Sequence, residues 1–132
     1  MAQPLPDSLK NATNQRVLDY LADKSAHSDI GDALIKATKP LGDVQIYCPD
    51  PAQCKYLIVS TNGVIFGFAV GMNAIAFRLS ATFKERALKT GADDRSELGS
   101  AWASFDVFRN DWPRVDLEFW ARKAYVFARE GK

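Results

Sequence analysis

A run of 22 residues, 56–77, carries no charge and lies between Lys55 and Arg78. Its length suits a membrane helix, and three glycines recur in it at every fourth position, as in the packing faces of some transmembrane helices. The same run also fits three β-strands joined by two tight turns. The choice between these two interpretations fixes the fold class of the chain.

The dipeptide Asn62-Gly63 favours strands. A two-residue type I′ turn needs positive φ at both positions, and Asn-Gly tolerates that conformation best. The register that follows contains three cross-strand pairs: Thr61 with Val64, Val59 with Phe66, and Leu57 with Phe68. These six side chains share one face, and the alternation along each strand is that of a two-faced sheet.

A second turn predicts the same apolar face. If Met72-Asn73 connects the next two strands, the pairs are Val70 with Ile75, Phe68 with Phe77, and Phe66 with Leu79. A three-residue loop would instead place Val70 opposite Ala74 and reverse the faces of the strand that follows. Because both turns agree on one Phe-rich face, we interpret the run as a three-strand meander rather than a membrane helix.

The opposite face of this predicted meander carries small residues and ends at Arg78. Its small members are Gly67, Ala69, Gly71, Ala74 and Ala76. Since glycine in a strand commonly marks close backbone approach, one interpretation is packing against a helix or against a second subunit in a homodimer. The other interpretation is a groove in which Arg78 binds an anion, with Tyr56, Trp102 and Trp112 as the remaining candidate binding residues.

The flanking sequence predicts helices on both sides of the meander. The predicted helices start at Asp7 or Ser8, at Ser28 or Asp29, at Ser80 or Thr82, and at Asp111-Trp112-Pro113. Strands are predicted at 44–48 and 102–108. The expected fold is α+β in the order α-α-β-β-β-β-α-β-α, with an antiparallel meander sheet of four to five strands and helices mainly on one face. The 132 residues suit one domain with an irregular lead over residues 1–6.

The net charge of the chain limits which partners it could attract, in particular nucleic acids and anionic membranes. A net charge of +1 gives no global footprint for nucleic acid or anionic membrane, although a local basic patch stays open. Lys84, Arg86 and Lys89 on the third predicted helix are the candidate DNA contacts. The N-terminal residues lack a basic segment followed by an apolar core, so we expect no secretory signal, no membrane association and a cytoplasmic location.

The residues that most often carry chemistry are sparse. Cys48 and Cys54 fit neither a CxxC motif nor a zinc site, and His27 has no recognisable nucleophile or orienting partner. We expect reduced thiols, with a strand-end disulfide as the alternative, and a solvated loop histidine. The sequence predicts no metal, no cofactor and no catalytic residue. The favoured function is a non-enzymatic binding module for a protein or small-molecule ligand; an enzyme with an unrecognised site around Trp102 and Arg78 is an alternative.

Four segments together suggest a family. They are Val64-Ile65-Phe66-Gly67-Phe68, Ile75-Ala76-Phe77-Arg78-Leu79, the strand that opens at Trp102, and Ala124-Tyr125-Val126 in the last helix. In this order, over about residues 28–130, the chain resembles the small α+β domains of the MmcQ/YjbR-like group. Members often carry a histidine immediately before the strand tryptophan, where this chain has Ala101. The resemblance implies the same fold, and DNA binding has been suggested for the group.

Overall fold

The computed structural model describes residues 5–49, 56–107 and 116–131. The helices are α1 (Ala12–Leu21), α2 (Ser28–Thr38), α3 (Ala81–Lys89) and α4 (Leu117–Gly131). The strands are β1 (Gln45–Tyr47), β2 (Leu57–Thr61), β3 (Val64–Val70), β4 (Ala74–Arg78), β5 (Asp93–Asp94) and β6 (Trp102–Asp106). The predicted α+β fold is confirmed.

The described strands form one open sheet in the order β1-β2-β3-β4-β6-β5, and every neighbouring pair is antiparallel. The sheet therefore has one strand more than the four to five that were predicted, and the additional one is the two-residue β5. The uncharged run forms β2, β3 and most of β4, so the membrane-helix alternative is wrong for it. Within the described ranges, no helix has the length and hydropathy needed to cross a bilayer.

The first turn of the meander is the predicted one. Thr61 pairs with Val64 across a two-residue connection. Asn62 and Gly63 both have positive φ, 53° and 76°, as a type I′ turn requires. The Asn-Gly pair therefore sets the start of the β2–β3 hairpin.

The predicted register fails two residues beyond this turn, because β3 contains a β-bulge. Ser60 pairs with Ile65, whereas its neighbour Val59 pairs with Gly67, and Phe66 has no direct partner on β2. The extra residue shifts every later pair by one position. Val59 opposite Phe66 and Leu57 opposite Phe68 are therefore wrong predictions.

The bulge also separates the two phenylalanines that were predicted to share a face. Phe66 lies against α4, with its ring 5.8 Å from that of Tyr125. Phe68 lies against α1 on the other face, with its ring 6.0 Å from Tyr20 and 5.3 Å from Trp102. The sheet is consequently apolar on both faces.

The second turn also differs from the prediction. Val70 pairs with Ala74 across a three-residue loop, so the predicted pairs of Val70 with Ile75, Phe68 with Phe77, and Phe66 with Leu79 are wrong. This loop is fastened to the α1–α2 connection, because the Gly71 amide donates to the Ser25 carbonyl at 2.7 Å and the His27 amide donates to the Gly71 carbonyl at 2.8 Å. Gly71 has a φ of 71°, which a residue with a side chain rarely adopts.

The small-residue face does not exist as predicted, because bulge and loop distribute its members over both sides of the sheet. Gly67 and Ala69 pair with Phe77 and Ile75 on one side, whereas Ala76 belongs to the core on the other side. Ala69 and Ala76 are both buried within this chain. Gly67 is buried as well, whereas Gly71 is exposed and Ala74 is half-buried, so the homodimer stays a prediction without a continuous small-residue surface.

Two cores result, one on each face of the sheet. The larger includes buried residues of α2, α3 and α4, and the smaller includes buried residues of α1. The prediction of helices mainly on one face is therefore confirmed. The principal members of the larger core are Ile30, Leu34, Val59, Phe66, Ile75, Phe77, Phe105 and Trp120; those of the smaller are Val17, Leu21, Ile58, Ile65, Phe68 and Trp102.

The helix starts follow local capping chemistry. Asn11, rather than Asp7 or Ser8, caps α1, because a short 3-10 turn over Asp7–Leu9 precedes it. Ser80, one of the two predicted start residues, caps α3 by accepting from the Phe83 amide. The predicted opening of the last helix at 111–113 lies outside the described residues.

Buried Asn14 joins α1 to the first hairpin. Its side-chain amide donates to the carbonyls of Leu9 and Gly63, both at 2.9 Å, and its carbonyl oxygen accepts from the Ile65 amide at 3.0 Å. The residue is 1% exposed. Because a buried polar group is costly unless it is hydrogen-bonded, this arrangement fixes where α1 lies on the sheet.

Asn14→Ala should lower the free energy of unfolding by about 2–4 kcal/mol, because it removes three hydrogen bonds and leaves the buried Ile65 amide without its acceptor. Urea unfolding followed by circular dichroism measures the change. Gln15→Ala, at an exposed position on the same helix, is the control and should change stability by less than about 0.5 kcal/mol. Equal losses in the two variants would show that Asn14 does not hold α1 to the hairpin.

Gly67→Ala should also destabilise the protein, by about 1–3 kcal/mol through overpacking. A Cβ at Gly67 would lie 3.0 Å from Phe77 Cδ1 and 3.1 Å from Val59 Cγ2. Gly42 has no heavy atom within 4 Å of such a Cβ, so Gly42→Ala is the matched control and should be close to neutral. A neutral Gly67→Ala in the same unfolding experiment would contradict the observed register.

Candidate functional site

The four predicted binding residues are not all brought together. Arg78 and Trp102 are backbone partners on β4 and β6, but Trp102 packs in the smaller core, whereas the guanidinium of Arg78 lies against α4. Tyr56 precedes β2 at the end of the sheet where β4 begins, so it lies about 13 Å along the strand direction from Arg78. Trp112 lies outside the described residues.

Trp102 and Tyr56 belong to the smaller core. Trp102 is 3% exposed and packs on Phe68, which leaves little of its ring for a ligand. Tyr56 is half-buried beside the same core, and burial, together with nearby Cys48, raises the pKa of its hydroxyl. Packing accounts for both residues.

Arg78 differs from its neighbours because its charge has no described partner. Its guanidinium carbon lies 4.7 Å from the ring centroid of Phe127 on α4. The Nη1 atom is buried and has no hydrogen-bond acceptor. Burial lowers the pKa of Arg78 from its usual value. The cation is thus held against an aromatic ring and is only partly satisfied.

The three candidate DNA contacts on α3 have different environments. Lys84 Nζ donates to Asp94 Oδ1 and to the Ser100 carbonyl, both at 2.7 Å, and its side chain is only 12% exposed. Lys89 forms an exposed pair with Glu85 at 3.3 Å, a type that contributes little to stability. Lys84 is therefore committed within the protein, whereas Lys89 and Arg86 stay accessible.

Arg86 belongs to a group of four side chains that we call the α3–α4 cluster: Phe83, Arg86, Phe119 and Lys123. The two rings meet edge to face, with centroids 6.2 Å apart. The Arg86 guanidinium carbon lies 5.1 Å from the Phe83 centroid and 5.8 Å from that of Phe119. The corresponding distances from Lys123 Nζ are 4.9 Å and 5.3 Å. Both cations thus share the same two rings.

The charges of the α3–α4 cluster are not neutralised by described residues. No described carboxylate lies within ion-pair distance of Arg86 or Lys123. The sequence contains the component pairs at helical spacing, Phe83 with Arg86 and Phe119 with Lys123. The meeting of the two helices is a tertiary event, so sequence reasoning identified only Arg86.

A separate ion pair fastens the C-terminal part of α4. Arg129 Nη1 donates to Asp43 Oδ2 at 3.0 Å and to Thr61 Oγ1 at 2.8 Å. The Tyr125 hydroxyl donates to the Gly42 carbonyl. The hydrogen bonds from Arg129 and then from Gln45 lower the pKa of Asp43. These contacts serve the fold, because they tie α4 to the segment before β1.

The remaining chemistry-bearing residues have structural positions. His27 Nδ1 accepts from the Asp29 amide at 3.1 Å and caps α2, so the predicted loop histidine is an exposed N-cap. Cys48 is a free thiol, and Cys54 lies outside the described residues. Among the described residues, no group of three His, Cys, Asp or Glu side chains could hold a metal ion.

Comparison with known proteins leaves the family open. The chain matches no family model, no curated protein and no solved structure. The resemblance to the MmcQ/YjbR-like group therefore rests on the sequence segments alone. At the position of the group's histidine, the Ala101 carbonyl accepts a backbone hydrogen bond from Leu79 at 2.8 Å, and this bond needs no particular side chain.

The contribution of the Asp43–Arg129 pair to stability should depend on pH. Because the folded pKa of Asp43 is lowered below 3.8, its contribution to stability is present above that pH and is lost as the pH falls through the lowered value. Asp43→Asn should therefore be less stable than the native chain at neutral pH, and the difference should shrink in acid. Urea unfolding at several pH values, with Asp32→Asn as the exposed control, measures it. A difference that stays constant down to pH ~2 would contradict this role.

Proposed function

We propose that the protein is a non-enzymatic binding module that recognises an anionic partner through the α3–α4 cluster. The observation that carries the proposal is the position of Arg86 and Lys123 over the same two aromatic rings, without a described carboxylate on either. Two neighbouring positive charges repel each other, so an anion between or above them would lower the free energy of the arrangement.

The geometry of the α3–α4 cluster leaves its cations able to bind a partner. Arg86 is exposed and Lys123 is partly exposed, although the charged ends of both side chains lie over the rings. Cation–π contacts at exposed sites stabilise by only about 0.5–1 kcal/mol each. The contacts therefore preorganise the charges, and a phosphate or carboxylate can still compete for them.

The rings add a second means of recognition. Phe83 and Phe119 are partly exposed, and aromatic side chains supply contact area at low conformational-entropy cost. A partner that carries both negative charge and planar apolar groups would use cations and rings together. This combination favours an extended anionic polymer over a free inorganic ion.

DNA is the specific candidate that the α3–α4 cluster favours. Phosphates would contact Arg86 and Lys123, and exposed Lys89 on α3 would add a third cation where a phosphate displaces Glu85 from it. Lys84, which the sequence suggested as a third contact, is not part of this proposal, because its Nζ already donates to Asp94 and Ser100. A protein with net charge +1 would rely on this local surface rather than on a general attraction.

The test is binding of the full chain to a labelled single-stranded oligonucleotide, to a duplex of the same length and to an oligoglutamate, measured by fluorescence anisotropy over a salt series. We expect binding that weakens with salt. The double variant Arg86→Gln, Lys123→Gln should bind at least about tenfold more weakly and should reduce the salt slope by about 2, because two phosphate contacts are lost.

The matched control is Arg16→Gln, Lys39→Gln, which removes the same net charge at two exposed positions outside the cluster. It should retain nearly native affinity and salt slope. An equal loss in the control would show non-specific attraction and would contradict the proposed site. Binding of oligoglutamate alone would exclude DNA as the partner, and no binding of any probe at low salt would refute the binding module itself.

A further inference from the structure

Arg78 has a defined position in the fold, but no described side chain neutralises its positive charge. It is the last residue of β4, immediately beyond the final β3–β4 pair of Gly67 with Phe77. In an antiparallel pair, the residue of β3 opposite Arg78 would be Phe66, which precedes Gly67. Phe66 belongs to the bulge, so β3 and β4 no longer pair at Arg78. Arg78 therefore lies beside the bulge, where the pairing of β3 with β4 ends.

The guanidinium lacks hydrogen-bond acceptors and an ion-pair partner among the described residues. Nη1 is buried without an acceptor, and no described carboxylate lies within ion-pair distance of Arg78. The Phe127 ring covers one face of the guanidinium at 4.7 Å, but a ring does not replace hydrogen bonds in the guanidinium plane. Unsatisfied buried donors are rare in folded proteins, and each one calls for an explanation.

We propose that Arg78 is the binding residue of an oxyanion site, whose ligand is a carboxylate or phosphate group that completes the hydrogen bonds of the guanidinium. Arginine carries its donors in a planar fork that matches two oxygens of such a group. Phe127 holds the fork in one orientation, which reduces the side-chain entropy lost when the anion binds. Nη1 is buried, but Arg78 as a whole is only partly buried, so an anion can approach the guanidinium through its exposed part.

The Arg78 site and the α3–α4 cluster rest on different observations. The cluster rests on two cations that share two rings, whereas the Arg78 site rests on a buried donor without an acceptor. Phe127 lies one helical turn beyond Lys123 on α4, so the two sites are neighbours and must be separated by the experiment. Their variants do this, because neither set of substitutions includes the other site.

The experiment is thermal unfolding of the full chain in increasing sodium phosphate and, separately, sodium acetate, each compared with sodium chloride at the same ionic strength. For the native chain, we expect a saturable rise in Tm of about 5 °C when the effective anion exceeds its Kd tenfold. The anion that produces the rise identifies the ligand group as phosphate or carboxylate.

Arg78→Met should abolish this rise while unfolding at a similar or higher Tm without the anion, because the unsatisfied donor is gone. Arg78→Lys keeps the charge but lacks the planar fork, so it should lose most of the rise in Tm. It replaces Arg78→Met as the test if the methionine variant does not fold. Arg16→Met is the matched control and should respond as the native chain does. The double variant Arg86→Gln, Lys123→Gln removes the neighbouring anion site, and it should still show a saturable rise because Arg78 is intact.

Three results would overturn the proposal. They are no rise over chloride with either anion, an equal rise in the native chain and both Arg78 variants, and loss of the rise in the Arg86, Lys123 double variant. The last result would assign the bound anion to the α3–α4 cluster and would leave the proposed function standing. Conversely, a double variant that loses DNA binding but keeps the rise in Tm with the anion would show that the two sites act separately.

Discussion

The bulge at Phe66 decides which helices the sheet can bind. Val59 pairs with Gly67 rather than with Phe66, so the side chains of β3 change faces at this point. Phe66 then packs under α4, and Phe68 packs under α1. Without the extra residue, both rings would lie on one face, and the core under α1 would lose the apolar area of Phe68.

The position of α4 connects this constraint to the candidate sites. Phe66 contacts Tyr125 on one side of α4, and the pair of Arg129 with Asp43 fastens its C-terminal part. With α4 held in this way, Phe119 and Lys123 meet α3, and Phe127 meets Arg78. The cations that we propose as binding residues are thus arranged by the same packing that stabilises the fold.

The sequence was sufficient where local chemistry decides the structure. Asn62-Gly63 predicted its turn, and Ser80 was one of the two residues predicted to start α3, because the turn and the helix start depend on neighbouring residues only. It failed at the bulge, where Gly67 was interpreted as a sign of close backbone approach, although glycine inside a strand can equally mark a bulge. The same error produced a small-residue groove that does not exist. Arg78 was identified for its charge, but its contact with Phe127 depends on tertiary packing and could not be derived from spacing.

Nuclear Overhauser effects between backbone protons of β2, β3 and β4 test the central claim directly, because they report cross-strand neighbours without reference to side-chain packing. The bulged sheet predicts contacts of Val59 with Gly67 and of Val70 with Ala74. Contacts of Val59 with Phe66 and of Val70 with Ile75 would instead show a regular meander. That result would contradict the two-core fold and the position of Arg78 beside the bulge.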